Sequence, residues 1–322
     1  MKKVLVLLSA AALLLVSCAK VKDVYTGSPE SREITFSPLA QPATKSGAIN
    51  STDGFPTTGS FYIAARLAGN PGRDYFEKTE YSYSSSYWRG TPARFWPFDA
   101  ATLNFLAVTK QPNSAANAVT FGEGDPLANY ASKVTVALAN NQPVNGAQHD
   151  LMYSYKRASD KANVTMDFHH ALAWVNFTVQ SSVSDVLAVT GVTLNGAYYS
   201  GTATVTLSNY DSTSDALSAT LGWSGLGDQG NIAVPGISST TVTGSPAVLG
   251  DGLLIVPSSA AFTNFTVHYS LNGYNYSKVC SVDSVELSAG HKYTYNINIS
   301  LAEITVTATV ENWTGESPVA AS

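Results

Sequence analysis

The chain has 322 residues, 18 Lys and Arg against 23 Asp and Glu, and a formal net charge of −5. That length suits about two domains of ordinary size, and 44% apolar residues suffice for buried cores, which excludes a disordered chain. Charged residues are only 13%, roughly half the usual share, which excludes coiled coils, and the slight acidity leaves no basic footprint for a nucleic-acid partner.

Lys2 and Lys3 precede an unbroken apolar and small-residue run, Val4 to Val16. At about 1.5 Å per residue the run falls short of the roughly 20 apolar residues that span a bilayer. It reads as the apolar region of a secretory signal peptide over residues 1–17, and no other segment reaches a comparable length, so no transmembrane helix is expected. Leu15-Val16-Ser17-Cys18 resembles a bacterial lipobox: a small residue ahead of a lone cysteine, directly after the apolar run. The resemblance implies cleavage between Ser17 and Cys18, acylation of Cys18 and attachment to a membrane surface. Residues 18–32 are polar and patternless, as a tether would be.

From there the dominant period is two, the mark of half-buried strands. Short candidates are Ile34–Phe36, Phe61–Ala65, Leu103–Val108, Val134–Leu138 and Val192–Leu194. Longer alternations are Val164/Met166/Phe168, Ala173/Val175/Phe177/Val179 and Phe265/Val267/Tyr269/Leu271. The last two run from Tyr293 to Leu301 and through Ile304, Val306, Ala308 and Val310, with Thr305, Thr307 and Thr309 between. Turn residues punctuate them at Asn70-Pro71-Gly72, Asn195-Gly196, Asn272-Gly273 and Ser288-Ala289-Gly290; Asn272-Gly273 has the strongest two-residue hairpin chemistry. One short helix is expected over Ser114–Val119, and long loops or an irregular hairpin over 208–250. Many short strands with turns predict an all-β sandwich or barrel architecture. The polar stretch Ser159–Asn163 is the expected break, dividing the chain into domains 33–160 and 161–322.

Chemistry-bearing motifs are few. The sequence contains no Walker loop, HExxH, CxxC, GxSxG elbow or EF-hand loop, and no cofactor or metal is expected. His169-His170 makes a poor metal site, because adjacent strand residues point to opposite faces. With Cys18 acylated, Cys280 has no disulfide partner and reads as a small buried strand residue. Tyr81, Tyr83, Tyr87, Trp88, Phe95, Trp96 and Phe98 crowd one stretch. They admit two readings, a sugar-stacking platform or core filling, with core filling favoured because aromatics suit strands. Trp313 would fall on the threonine face if the last strand ran on, so a bulge or turn is expected there, with the indole closing the end of a sandwich.

Several segments, in order, resemble the fimbrillins, the pilins and pilin-like surface lipoproteins of type V pili. They are the lipobox at Cys18, Glu33-Ile-Thr-Phe-Ser37, Phe95-Trp96-Pro97-Phe98-Asp99 before Leu103–Ala107, and Asp150-Leu-Met-Tyr153. Val164–Ala173, with its His-His-Ala-Leu, follows, then Gly290-His-Lys-Tyr293-Thr-Tyr295 running to Glu311-Asn-Trp313. The resemblance implies two transthyretin-like β-sandwich domains in tandem, no catalysis, and a structural or adhesive role at the cell surface after outer-membrane lipoprotein export. It also implies assembly by strand exchange: a protease removes the N-terminal segment, and the vacated groove accepts a strand from another pilin subunit. Candidate processing positions are Arg32, Lys45 and Arg66. The candidate donor strand carries Ile304, Val306, Ala308 and Val310. Asp211-Ser212-Thr213 and Asp283-Ser284-Val285 resemble an O-glycosylation pattern of exported bacterial proteins, which makes Ser212 and Ser284 candidate sites. The partners implied are pilin subunits, the outer membrane through the lipid, and a host or glycan receptor. The alternative is a non-polymerising surface lipoprotein that binds glycans through the 81–98 aromatics.

Overall fold

The computed structural model describes residues 32–39, 55–68, 74–97, 102–111, 117–122, 132–140, 148–159, 163–183, 187–208, 217–259, 262–282, 286–300 and 303–313. Among these residues the chain is all-β, with no α-helix. Of the segment read as a short helix, 114–116 lies outside the described residues, and Val119 opens a strand.

The first nine strands are β1 (Thr35–Leu39), β2 (Ser60–Leu67), β3 (Asp74–Ser84), β4 (Tyr87–Thr91), β5 (Leu103–Thr109), β6 (Val119–Phe121), β7 (Lys133–Leu138), β8 (Met152–Ala158) and β9 (Val164–His170). All but β6 and β7 close into a barrel in the order β1-β4-β3-β2-β5-β8-β9, and a parallel pairing of β1 with β9 shuts the ring. The alternation Val164, Met166, Phe168 puts those three side chains into the barrel and leaves Thr165 and Asp167 outside. Closure removes the free edges that an open sheet would expose. Inside lies an aromatic core built on Phe36, Phe55, Phe61, Tyr81 and Phe105.

The remaining strands are β10 (Ala173–Ser181), β11 (Leu187–Leu207), β12 (Ala219–Ala233), β13 (Thr240–Thr241), β14 (Ala247–Ile255), β15 (Asn264–Leu271), β16 (Tyr274–Ser281), β17 (His291–Ile299) and β18 (Ile304–Asn312). One sheet runs β14-β10-β17-β18; the other runs β16-β15-β11-β7-β6, with β12 and β13 also on β11. Phe177, Phe265 and Tyr295 meet between the sheets, among Val175, Val189, Leu194 and Ile297. Full burial of each such side chain contributes roughly 1.5–3 kcal/mol. A third core joins the two halves. The outer wall of the barrel (Ala64, Leu106, Val108) packs on Val134 and Val136 of β7 and on Ala203 and Val205 of β11. This explains why β5 is buried at every position: both of its faces meet a core, so apolar residues fill it without alternation.

Two local signals led away from the observed pairing. Asn195-Gly196 is not a turn. It is an irregularity within the 21-residue β11, with Gly196 at φ +74° and a register shift between Leu194 and Ala197. The bend lets the first part of β11 pair with β15 and the second with β7. The pairings also cross the division at 160/161: β9 belongs to the barrel with β8 and β1, while β6 and β7 extend the sheet of the second half. The chain passes from barrel to sandwich at Ala171-Leu172, beyond the polar stretch Ser159–Asn163. Residues 219–233 do form a hairpin partner of β11, in register with it from Leu207↔Ala219 onward apart from two shifts.

Candidate strand-exchange site

The N-terminal strand is an inserted element. β1 lies antiparallel to β4 (Thr35↔Arg89, Phe36↔Trp88) and parallel to β9 (Phe36↔Val164 through Leu39↔Asp167). Ile34, just before it, and Phe36 within it are fully buried. Phe36 meets Tyr81, Phe105 and Phe61 edge-on, with ring centroids 4.9, 5.3 and 6.0 Å apart. Burial drives the Tyr81 phenol far above its ordinary pKa, as expected for a hydroxyl inside an aromatic core.

Polar groups tie down both ends of β1. Glu33 pairs with Arg89, and Arg32 donates to the carbonyl of Pro97. The Ile34 amide donates to the Arg94 carbonyl at 2.8 Å, and the Trp96 amide to the Arg32 carbonyl at 2.9 Å. Asn163 donates from Nδ2 to Ser37 Oγ at 2.7 Å. Taking β1 away would bare the edges of β4 and β9 and empty the space of two apolar side chains.

The C-terminal strand is seated differently. Among the described residues β18 pairs only with β17, from Ile299↔Ile304 to His291↔Asn312, at the edge of its sheet. Ile304 and Val306 pack partly on the sandwich core, Ala308 is exposed and Val310 is 53% exposed. Thr305, Thr307 and Thr309 face outward and are exposed. Beyond the strand, Trp313 is buried, its indole stacked on His170 with centroids 3.4 Å apart and planes 4° apart. The expected bulge or turn is absent: the β17–β18 register runs unbroken to Asn312, the Trp313 amide continues it by donating to the Gly290 carbonyl, and the indole keeps the phase of the threonine row and closes on the barrel.

Of the three processing candidates, Arg32 is half-buried and Arg66 is 3% exposed within β2, donating to the Ser208 carbonyl at 3.2 Å. Lys45, like Ser17, Cys18, Ser212 and Ser284, lies outside the described residues. The aromatic stretch does not form one platform. Tyr81, Trp88 and Trp96 are core residues; Tyr83, Tyr87 and Phe95 are exposed at 41%, 40% and 46%, and Phe98 lies outside the described residues. Cys280 is buried, and burial raises its thiol pKa.

His169 and His170 point to opposite sides of β9. His169 sits against Tyr153 and Tyr155 on the outside, and His170 contacts Asp150 Oδ2 through Nδ1 at 2.8 Å. No group of three or more metal-ligating side chains occurs among the described residues. A cleft of about 450 Å³ at the barrel end is lined by Phe55, Ser60, Lys110, Gln111 and His149. No sequence pattern marks the His170–Asp150–Trp313 cluster as one site. The only local trace is an aromatic residue, Trp313, in phase with the threonine row of the last strand.

A family model described as fimbrillin-like matches residues 46–313. The fold is also similar to solved structures. A fimbrial protein from Bacteroides vulgatus shares 17% identity, with 88% of this chain and 100% of that one covered and a TM-score of 0.54. Candidate cell adhesion proteins from Bacteroides uniformis and Bacteroides ovatus share 16% and 12% identity, each with a TM-score of 0.50. Both comparisons cover 88% of this chain, and they cover 99% and 98% of those chains respectively. At these identities the likeness is one of fold. No curated protein matches the chain.

Proposed function

The chain belongs to the fimbrillin-like family, and from that premise we propose that it is a structural or adhesive subunit of a type V pilus that assembles by strand exchange. In this reading both halves are transthyretin-like sandwiches, the first closed into a barrel by its own N-terminal strand. The chain travels to the cell surface as an outer-membrane lipoprotein acylated at Cys18. A protease then frees β1, and the groove between β4 and β9 accepts the β18 segment of another subunit. Ser212 and Ser284 are glycosylation candidates on the exported chain.

The seat of β1 carries this reading. A short N-terminal strand with the residue before it fills the barrel with Ile34 and Phe36, and the strand pairs on both edges with strands distant in sequence. Such a slot suits any strand with alternating apolar residues, and Ile304, Val306, Ala308 and Val310 supply that alternation. Among the three processing candidates, a cut after Lys45 falls between β1 and β2 and so separates β1 without splitting a described strand. A cut after Arg32 removes only the tether, and one after Arg66 divides β2.

The test is assembly of the purified protein before and after a lysine-specific protease has cut it at Lys45, read as ladders resistant to detergent in unheated gels. Ladders are expected only after cleavage, and not from a chain lacking residues 303–313. Ladders from the deleted chain would remove β18 as donor; their absence from the cleaved full chain would remove the polymerising role.

A further inference from the structure

We propose that the end of β18 is a latch, in which Trp313 on His170 and Glu311 on Lys292 hold the C-terminal strand on its own chain, and that β9 links this latch to the presence of β1. The inference rests on reading β18 as the donor, and it adds a control on when donation happens.

Beyond its nine backbone pairs with β17, β18 is held by side chains mainly at its two ends. Ile304 and Val306 pack at one end; the strand is exposed from Thr307 to Asn312; burial returns at Trp313. At that second end the contacts are specific. The indole of Trp313 covers the His170 ring and lies 5.3 Å from the ring of Trp174. His170 is aligned by Asp150, whose side chain is fully buried. The Trp313 amide donates to the Gly290 carbonyl at 2.8 Å. Two residues earlier on the strand, Glu311 Oε1 is 2.7 Å from Lys292 Nζ. The Lys292 side chain is 4% exposed and sits 5.5 Å above the ring of Trp174. Peeling β18 away would strand Lys292 in a buried site without its carboxylate and bare the His170 ring. Of this pair only Lys292 is buried; Glu311 is 60% exposed, so the cost falls on the buried ammonium left without its carboxylate.

The latch spans both halves of the molecule. Lys292 and Trp174 belong to the sandwich, while His170 and Asp150 belong to the barrel. His170 ends β9, and β9 has two neighbours in the ring. β1 holds Val164 to Asp167, and β8 holds Phe168 to His170 through three registered pairs. Losing β1 therefore leaves β9 supported on one side only, and the His170 seat of Trp313 loosens with it. A subunit that keeps β1 keeps its own donor strand latched.

The experiment is hydrogen exchange read peptide by peptide on the full chain, on Trp313→Ala, on Glu311→Gln, on Val310→Ser as an exposed control, and on the chain cleaved after Lys45. The expected result is roughly tenfold or faster exchange across 304–312 in Trp313→Ala, Glu311→Gln and the cleaved chain. β10 and β15 should stay protected, and Val310→Ser should leave exchange unchanged. Unchanged exchange of 304–312 in Trp313→Ala and Glu311→Gln, or protection lost across the whole sandwich in both, would overturn the latch. Unchanged exchange in the cleaved chain alone would overturn the link through β9. Fast exchange without ladders from the cleaved chain leaves the latch standing and removes strand donation; ladders with unchanged exchange do the reverse.

Discussion

Phe36 stands edge-on to Tyr81, ring centroids 4.9 Å apart and planes at 76°. The contact joins the N-terminal strand to β3, which is not its hydrogen-bonded neighbour, so it is made across the barrel interior. Phe36 therefore serves as a core residue for the whole barrel. Phe36→Ala removes a fully buried ring with three aromatic neighbours, and the expected cost is about 3–5 kcal/mol. Val310→Ser on the exposed edge of β18 should stay within about 0.5 kcal/mol. Urea denaturation of both variants checks this. A Phe36→Ala loss no larger than that of Val310→Ser would mean that β1 does not hold the barrel closed.

Arg66 offers a second check, through proteolysis. Its backbone is paired on both sides, to Asp74 of β3 and Asn104 of β5, and its side chain is 3% exposed. A protease must draw several residues into its cleft, which here requires opening the barrel wall. An arginine-specific protease is expected to spare the Arg66–Leu67 bond in the native protein and cut it in urea. Rapid native cleavage there, seen by intact mass, would show that β2 opens readily and would restore Arg66 as a processing position.

Cys280 tests both halves of the cysteine argument. Burial raises its thiol pKa, with Lys278 opposing, so at pH 8 little thiolate forms and access is poor. Alkylation should be slow in the native protein and fast in denaturant. If Cys18 carries acyl chains, the mature chain titrates one thiol in denaturant, while a precursor titrates two. Cys18→Ala should abolish incorporation of a labelled fatty acid. Two titratable thiols in protein recovered from the membrane would contradict acylation of Cys18.

Where the sequence could be read, local physics decided the outcome. Asn272 and Gly273 both take positive φ, 52° and 84°, and join β15 to β16 as a two-residue turn. The threonine row of β18 faces water, but Trp313 continues the strand register without the expected bulge and is buried because the barrel meets that end of the strand. What the residues concealed was which strands pair. Ser159–Asn163 looks like a domain break because its composition is that of a turn, yet it joins β8 to β9 within one barrel. Asn195-Gly196 has turn chemistry, but β15 and β7 hold the flanking segments in one long strand. His170 and Trp313 meet only because the barrel and the sandwich dock. No local pattern encodes a contact of that sequence separation.

Acid is expected to destabilise the fold through His169. His169 is exposed at its edge but flanked by Tyr153 and Tyr155, with centroids 5.4 and 5.6 Å away. Desolvation by this packing lowers its pKa below the ordinary 6.5. Asp167 opposes the shift and His170 adds to it. His149 is lowered by burial as well. For a depressed histidine the unfolded chain binds more protons than the folded one between the folded pKa and about 6.5. Stability therefore falls as pH drops through about 6.5 and stops falling, for this group, below the folded pKa. The urea midpoint should decrease between pH 7.5 and pH 5. His169→Gln, which cannot take up the proton, should show a smaller decrease. The same slope in both proteins would mean that the tyrosine-flanked ring is hydrated well enough to titrate as it does in the unfolded chain.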